Sequence, residues 1–310
     1  MKVLLTGGCG FIGSHVQDKY IERGYDIIVV DNLSSGKREY LNPKARLYET
    51  DIRDREKLEE IFKKEKPDIV NHHAAQISVI HSVDDPFEDA EINIIGSLNL
   101  IELSVKYNIK KFIYASSGGA AYGNPLNNPC DEEHPVNPLS PYGVSKHTVE
   151  HYLYLYRVNY GLEYVVLRYP NVYGPRQDPF GEAGVVAIFT ERMLKNDDVY
   201  IFGDGNQERD FVYVEDIAEA NILMTEKEIN EDFPIYNIGS GRGVSVNEIF
   251  NHLKEITGYR KAPVYKPPRK GEVYKIALDA GRIKNLGWKP KVSLKEGLEK
   301  TVIWFRNINI

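Results

Sequence analysis

Tyr142 and Lys146 stand four residues apart in the run Ser140-Pro141-Tyr142-Gly143-Val144-Ser145-Lys146. Ser140 suits a helix N-cap and Pro141 the first helical position, so the pair opens a helix. Residues at i and i+4 share one face, and the phenol and the ammonium can point into the same space. A free phenol, with a pKa of about 10, is a poor base at neutral pH. A cation held beside it favours the phenolate and brings it into range for acid–base work. The same spacing is common on ordinary amphipathic helices, so the rest of the chain has to supply the context.

That context begins at the N-terminus. Lys2–Thr6 is a short apolar run, and Gly7-Gly8-Cys9-Gly10-Phe11-Ile12-Gly13 follows at once. Ser14–Arg23 reads as a helix stopped by Gly24, and Asp26–Val30 as a second strand ending at Asp31. Gly7, Gly10 and Gly13 allow a tight turn, close approach of a pyrophosphate to the backbone and close helix-on-strand packing, with the helix N-terminus facing the phosphates. Asp31 comes eighteen residues after Gly13. A carboxylate there can accept from ribose hydroxyls and would repel a 2′-phosphate, which favours NAD over NADP. Lys37 and Arg38 nearby keep NADP as the lesser reading.

Strands and helices go on alternating. Strands are expected at Ala45–Thr50, Asp68–Asn71, Lys111–Ala115 and Leu162–Arg168, with helices at Arg55–Lys64, Glu88–Tyr107 and from Tyr142 through Tyr156. This predicts an α/β fold, a Rossmann-like doubly wound parallel sheet with ligands at the carboxyl ends of its strands. The glycine turn, Asp31, Asp51, Ala74–Gln76 and Ser116–Gly118 all leave strands at that end. Beyond Tyr169-Pro170-Asn171-Val172-Tyr173-Gly174-Pro175-Arg176, expected as a loop, the alternation breaks. We expect residues 1–170 to form the dinucleotide-binding domain. Residues 171–310 form a smaller, interleaved α/β substrate domain, with a strand and helix near 210–240 returning to the main sheet.

The chain has 310 residues, 42% hydrophobic and 27% charged, enough for a large core. A net charge of −6 argues against nucleic acid as the main partner. No stretch approaches the roughly 20 apolar residues of a membrane span. Cys9 and Cys130 are too few for a disulfide framework and have no zinc-like spacing, so a soluble, cytoplasmic protein is expected. His147 and His151 share a helix face but lack a matching acid and a third ligand, so no metal site is expected. The second half of the Tyr142 helix is apolar nearly all round. That predicts burial on more than one side, by the sheet and by a second subunit: a homodimer through the 88–107 and 142–158 helices.

Further motifs carry a resemblance. Thr6–Gly13, Asp31-Asn32-Leu33-Ser34, Asp51-Ile52, His73-Ala74-Ala75, Asn93 with Gly96, and Tyr142-Gly143-Val144-Ser145-Lys146 resemble the extended short-chain dehydrogenase/reductase family. Leu167–Pro175, Gly203-Asp204-Gly205-Asn206-Gln207-Glu208-Arg209-Asp210-Phe211 and Arg269-Lys270-Gly271-Glu272 are similar to its nucleotide-sugar branch, across nearly the whole chain. The resemblance implies NAD held by Gly7, Gly10, Phe11, Ile12 and Gly13 at the pyrophosphate and by Asp31, Asn32, Ser35 and Gly36 at the adenosine. Asp51 and Ile52 would flank the adenine, Ala74, Ala75 and Gln76 the nicotinamide side, and Lys146 the nicotinamide ribose; Asn93 and Tyr169 belong to the same cofactor set. It implies a UDP-sugar substrate, with Asn171, Arg209 and Arg269 on the diphosphate and Glu272 on the uridine ribose. The activity implied is C4 epimerisation of a UDP-hexose through a 4-keto intermediate, with Tyr142 as acid and base.

One position departs from the family pattern. A Ser or Thr is usual four residues before the Tyr-Gly of the loop Ser116–Gly123, and here it is Gly118. We expect Ser117, or a water beside Gly118, to contact the sugar 4-oxygen instead. A 4,6-dehydratase would need an acid–base pair in Gly118-Gly119-Ala120-Ala121, which has no carboxylate. A UDP-glucuronate 4-epimerase or decarboxylase, or a catalytically silent NAD-binding sensor, are the remaining alternatives. Ile276 falls where the resemblance places a residue that tunes sugar size.

Overall fold

The computed structural model describes residues 1–180, 184–268 and 273–308. Arg269 and Glu272 lie outside these described residues. In chain order the strands are β1 (Lys2–Thr6), β2 (Asp26–Asp31), β3 (Arg46–Glu49), β4 (Ile69–His72), β5 (Lys111–Ser117), β6 (Tyr164–Tyr169), β7 (Asn171–Tyr173), β8 (Tyr200–Phe202), β9 (Glu208–Tyr213), β10 (Ile235–Asn237), β11 (Gly243–Ser245) and β12 (Val264–Lys266). The helices are α1 (Phe11–Glu22), α2 (Arg55–Glu65), α3 (Val79–Asp84), α4 (Pro86–Ala90), α5 (Gly96–Lys106), α6 (Gly118–Ala121), α7 (Pro141–Tyr160), α8 (Val185–Leu194), α9 (Val214–Glu226), α10 (Val246–Thr257), α11 (Gly281–Asn285) and α12 (Leu294–Asn307).

Seven strands form the main sheet in the order β3-β2-β1-β4-β5-β6-β10, every neighbour parallel. The order reverses between β1 and β4, and a crevice opens beyond the strand ends at that switch. Strand residues alternate between two cores because the side-chain period is two. Val3, Leu5 and Val29 pack with Val16 and Tyr20 of α1 and Ile217 and Ala220 of α9. Leu4, Ile28 and Val30 pack on the other face with Phe62 of α2, Leu100 and Leu103 of α5, and Val149 and Leu153 of α7. A third core joins Tyr173, Phe189, Tyr213, Ile249, Phe250, Leu298 and Val302, from β7, β9, α8, α10 and α12.

Three expectations change. The first helix starts at Phe11 rather than Ser14, because Gly10 is extended (φ −80°, ψ 177°) and already serves as its N-cap. The stretch expected as a loop after Tyr169 contains β7, which pairs in parallel with β9. The single helix expected over Glu88–Tyr107 is three pieces: α4, a π-helical turn at Glu91–Ile95, and α5. Asn93 explains the wide turn, since its amide is bonded inward. It donates to the Gln76 carbonyl and to Asp89 Oδ1, both at 3.0 Å, and accepts from the Gln76 N–H at 2.9 Å. The helix of the Tyr–Lys pair forms as expected. The Gly143 N–H donates to Ser140 Oγ at 3.2 Å, Pro141 takes the first turn, and Gly161 (φ 71°) ends it.

Candidate active site

A crevice of roughly 500 Å³ runs along the carboxyl ends of β1, β2, β4 and β5. Its floor at the glycine turn is backbone. A Cβ on Gly13 would stand 2.1 Å from the Gly7 carbonyl oxygen, and one on Gly7 (φ +68°) would stand 2.7 Å from the Ala74 nitrogen. At the end of β2, Asp31 accepts from the N–H groups of Cys9 (2.9 Å) and Leu33 (2.8 Å). Burial still leaves its carboxyl above the usual range. Asp51 is clamped by Arg53, at 3.0 and 2.9 Å, and by the Asn32 amide at 2.9 Å. The Arg53 guanidinium leads in holding Asp51 down to about 2. A cradle with no room for a Cβ, beside a carboxylate fixed by loop amides, fits a dinucleotide's pyrophosphate and ribose.

Gly7, Gly10, Phe11, Ile12, Gly13, Asp31, Asn32, Ser35, Gly36, Asp51, Ile52, Ala74, Ala75, Gln76, Tyr142, Lys146 and Tyr169 all line this crevice. Asn93 does not. It is buried behind Gln76, bonded to it and, at 3.2 Å, to Ser145 Oγ.

Tyr142 and Lys146 reach the crevice from the first turns of α7. Tyr142 is half-buried and Lys146 only 3% exposed. Burial pushes the Tyr142 phenol up to about 12, while a hydrogen bond with Ser117 pulls it down. Burial drags Lys146 down to about 7, and the charges of Glu150 and Asp89 pull it back up. A further positive charge in the crevice would favour the phenolate.

The two serines at the end of β5 have different partners. Ser117 meets the Tyr142 phenol and accepts from the Ala120 N–H at 3.2 Å. Ser116 turns away and donates to Glu150 Oε1 at 2.6 Å. Gly118 is fixed by its neighbour: a Cβ there would lie 2.5 Å from Leu278 Cδ1. Leu278 therefore occupies the room a side chain would need. Its N–H donates to Asp210 at 3.1 Å, and Asp210 also accepts from Ser240 and Gly241. Asn171 faces the same loop, its Oδ1 3.8 Å from where a Gly119 Cβ would stand. Arg209 Nη1 donates to the carbonyls of Glu208 (2.9 Å) and Tyr274 (3.4 Å). Ile276 is buried with Tyr122, Cys130 and Leu278.

Several neighbours of the site are given no role by the sequence. Arg53 and His73 also line the crevice. Burial keeps His73 neutral, its pKa near 3, and its ring lies 6.0 Å from that of Tyr169. Glu150 and Arg168 form a buried ion pair at 2.6 Å behind the loop that follows β5. Arg168 also donates to Tyr122 Oη at 2.9 Å, and Tyr122 to Asn237 at 2.7 Å. Glu150 is one more i+4 step after Lys146 and Arg168 stands in the Leu167–Pro175 motif, but only the fold brings the two together. Among the described residues, no group of three or more His, Cys, Asp and Glu is arranged to hold a metal ion.

Residues 3–239 match the model of the NAD dependent epimerase/dehydratase family. The UDP-glucose 4-epimerase of Thermotoga maritima, solved with UDP-glucose, is 58% identical, with a TM-score of 0.97 over 99% of each chain. The Thermus thermophilus UDP-glucose 4-epimerase, solved with NAD, is 45% identical, with a TM-score of 0.93 over 99% of each chain. The UDP-glucose 4-epimerase of Mycolicibacterium smegmatis is 41% identical over 99% of both proteins.

Proposed function

This chain belongs to the NAD dependent epimerase/dehydratase family, and on that premise we propose that it interconverts UDP-glucose and UDP-galactose by inverting C4 through a 4-keto sugar. NAD is the cofactor, and when bound it supplies the acceptor and donor of the C4 hydride. Gly7 and Gly10–Gly13 hold the pyrophosphate. Asp31, Asn32, Ser35 and Gly36 hold the adenosine ribose, Asp51 and Ile52 the adenine. Ala74, Ala75, Gln76 and Tyr169 face the nicotinamide end, with Asn93 fixing Gln76 from behind.

Tyr142 takes the proton of the sugar 4-hydroxyl and later returns it on the other face. Lys146 holds the charge of its phenolate, and Ser117 orients the 4-oxygen. Asn171, Arg209 and Arg269 grip the diphosphate and Glu272 the uridine ribose. Guanidiniums suit paired phosphate oxygens. Binding energy spent on the distant UDP retains the keto sugar while it turns over. The third core is the part that covers the substrate, drawn from residues 171–310 apart from α9, β10 and α11, which pack on the main sheet.

The observation that carries this reading is Tyr142 and Lys146 together at one wall of a dinucleotide crevice, with Ser117 bonded to the Tyr142 phenol. The test is incubation with UDP-galactose, UDP-N-acetylgalactosamine and UDP-glucuronate, without added NAD, followed by analysis for C4 epimers. UDP-glucose formed from UDP-galactose is expected. Epimerisation of UDP-glucuronate alone would move the substrate class, and no epimer from any of the three would overturn the reading.

The protein also pairs with a second copy. Val144, Leu155 and Val158 are 49%, 44% and 63% exposed on one face of α7, and Ile95 beside it is 51% exposed. Light scattering on the purified protein should give twice the 35.4 kDa chain mass, and Val158→Glu should shift it toward one chain. Among the described residues no helix is long and apolar enough to cross a membrane. We place the protein in the cytoplasm, where the unpaired, buried Cys9 and Cys130 stay reduced.

A further inference from the structure

The Lys146 ammonium lies 4.4 Å from the centroid of the Tyr114 ring. Tyr114 is fully buried in β5, in register with His72 of β4 and Val166 of β6. The His72 ring packs 5.6 Å from it and is locked in turn by Thr6 (2.7 Å) and Ser97 (2.9 Å). The Tyr114 ring is therefore held in place from the sheet side. Its hydroxyl has no hydrogen-bond partner among the described residues, so the ring is the part its neighbours use.

The charged and titratable groups around Lys146 leave room for such a role. Glu150 on α7 is already taken by Arg168 (2.6 Å), Ser116 (2.6 Å) and His147 (3.1 Å). Asp89 on α4 is taken by the amides of Gln76 (2.9 Å) and Asn93 (3.0 Å). Burial keeps His72 and His73, at the end of β4, neutral, and Tyr142 is the partner Lys146 must serve. Both carboxylates act on Lys146 from a distance, while the π face of Tyr114 meets the ammonium directly. A desolvated cation over a ring face within about 6 Å is attracted by the ring quadrupole.

We propose that Tyr114 is a positioning residue for the acid–base pair: its ring face seats the Lys146 ammonium and keeps it charged beside Tyr142. The inference rests on the reading of Tyr142 and Lys146 as the catalytic pair.

The test replaces Tyr114 by phenylalanine and by pentafluorophenylalanine, two rings of similar shape with opposite quadrupoles. The protein is loaded with NAD and UDP, and the Tyr142 phenolate is titrated by ultraviolet absorbance with Tyr142→Phe subtracted. The pH profile of kcat is measured in parallel. Tyr114→Phe should keep both midpoints. The fluorinated ring should raise the phenolate midpoint by about one pH unit and lower kcat at neutral pH about tenfold, with KM little changed. Tyr114→Leu, if it folds, should follow the fluorinated variant. Equal midpoints for the two rings would overturn the proposal, as would a loss in Tyr114→Phe as large as in the fluorinated variant. Full turnover in Tyr142→Phe would instead overturn the reading of the pair itself.

Discussion

The cofactor half of the crevice comes from β1, β2, β4 and the turns directly after them. The proposed substrate half draws on the end of β5, on β7 and β9, and on Leu278, which packs against Gly118. In the first, the contacts are largely backbone: Gly13 against Gly7, and two loop amides on Asp31. In the second they are side chains and loops tied across long sequence gaps, as when Asp210 holds both Leu278 and the 240–241 turn. A ligand cradled by backbone demands glycines at fixed spacing, and that demand is local. A ligand gripped by side chains from several segments leaves a scattered signal.

Five variants probe that difference, from the largest effect down. Tyr142→Phe, at the seam of the two halves, should lower kcat by at least about 100-fold, the scale of acid–base catalysis, while retaining NAD and UDP. Gly13→Ala should break the cofactor half, since its Cβ would stand 2.1 Å from the Gly7 carbonyl. Its purified protein should carry less NAD by absorbance and melt earlier. Arg209→Ala should break only the substrate half, raising KM about tenfold or more for loss of a charge-assisted contact, with NAD content intact. If Arg209→Ala loses NAD too, the two halves are not separable. Ser117→Ala should lower kcat about tenfold, whereas Ser116→Ala should chiefly lower the melting temperature, because Ser116 serves the buried Glu150.

The smallest effect is a pH dependence on the cofactor side. Asp51 titrates near 2 in the folded protein, below its unfolded value of about 3.9. A depressed carboxylate stabilises the fold above its unfolded pKa, and that gain is lost as pH falls through the folded one. Melting temperature should therefore fall between about pH 4 and pH 2. Asp51→Asn should flatten that limb by roughly the share of one carboxylate.

The same contrast governs what could be read beforehand. The alternation of apolar runs and amphipathic helices was enough for the parallel sheet, and every expected cofactor residue except Asn93 lines the crevice. Asn93 differs because its partners, Gln76 and Asp89, meet only through a π-helical turn that the apolar periodicity does not show. The seat of Lys146 was hidden for a related reason. Tyr114 reads as one more apolar residue of a buried strand, and only the packing of α7 on β5 brings its ring to the amine. Gly118 was visible as a departure, but its reason, Leu278, lies 160 residues away.

The turn at Glu91–Ile95 also fixes a phase. A π turn carries one residue more than an α turn, so it offsets the two helical stretches by roughly 100° relative to an unbroken helix. Upstream, α4 meets α3 and α7; downstream, α5 meets α2 and α7. Removing a single codon here would leave a regular helix of good propensity whose two ends could no longer both face their partners. The wide turn is thus held from both sides: it lets Asn93 face inward, and the packing of α4 and α5 depends on its extra residue.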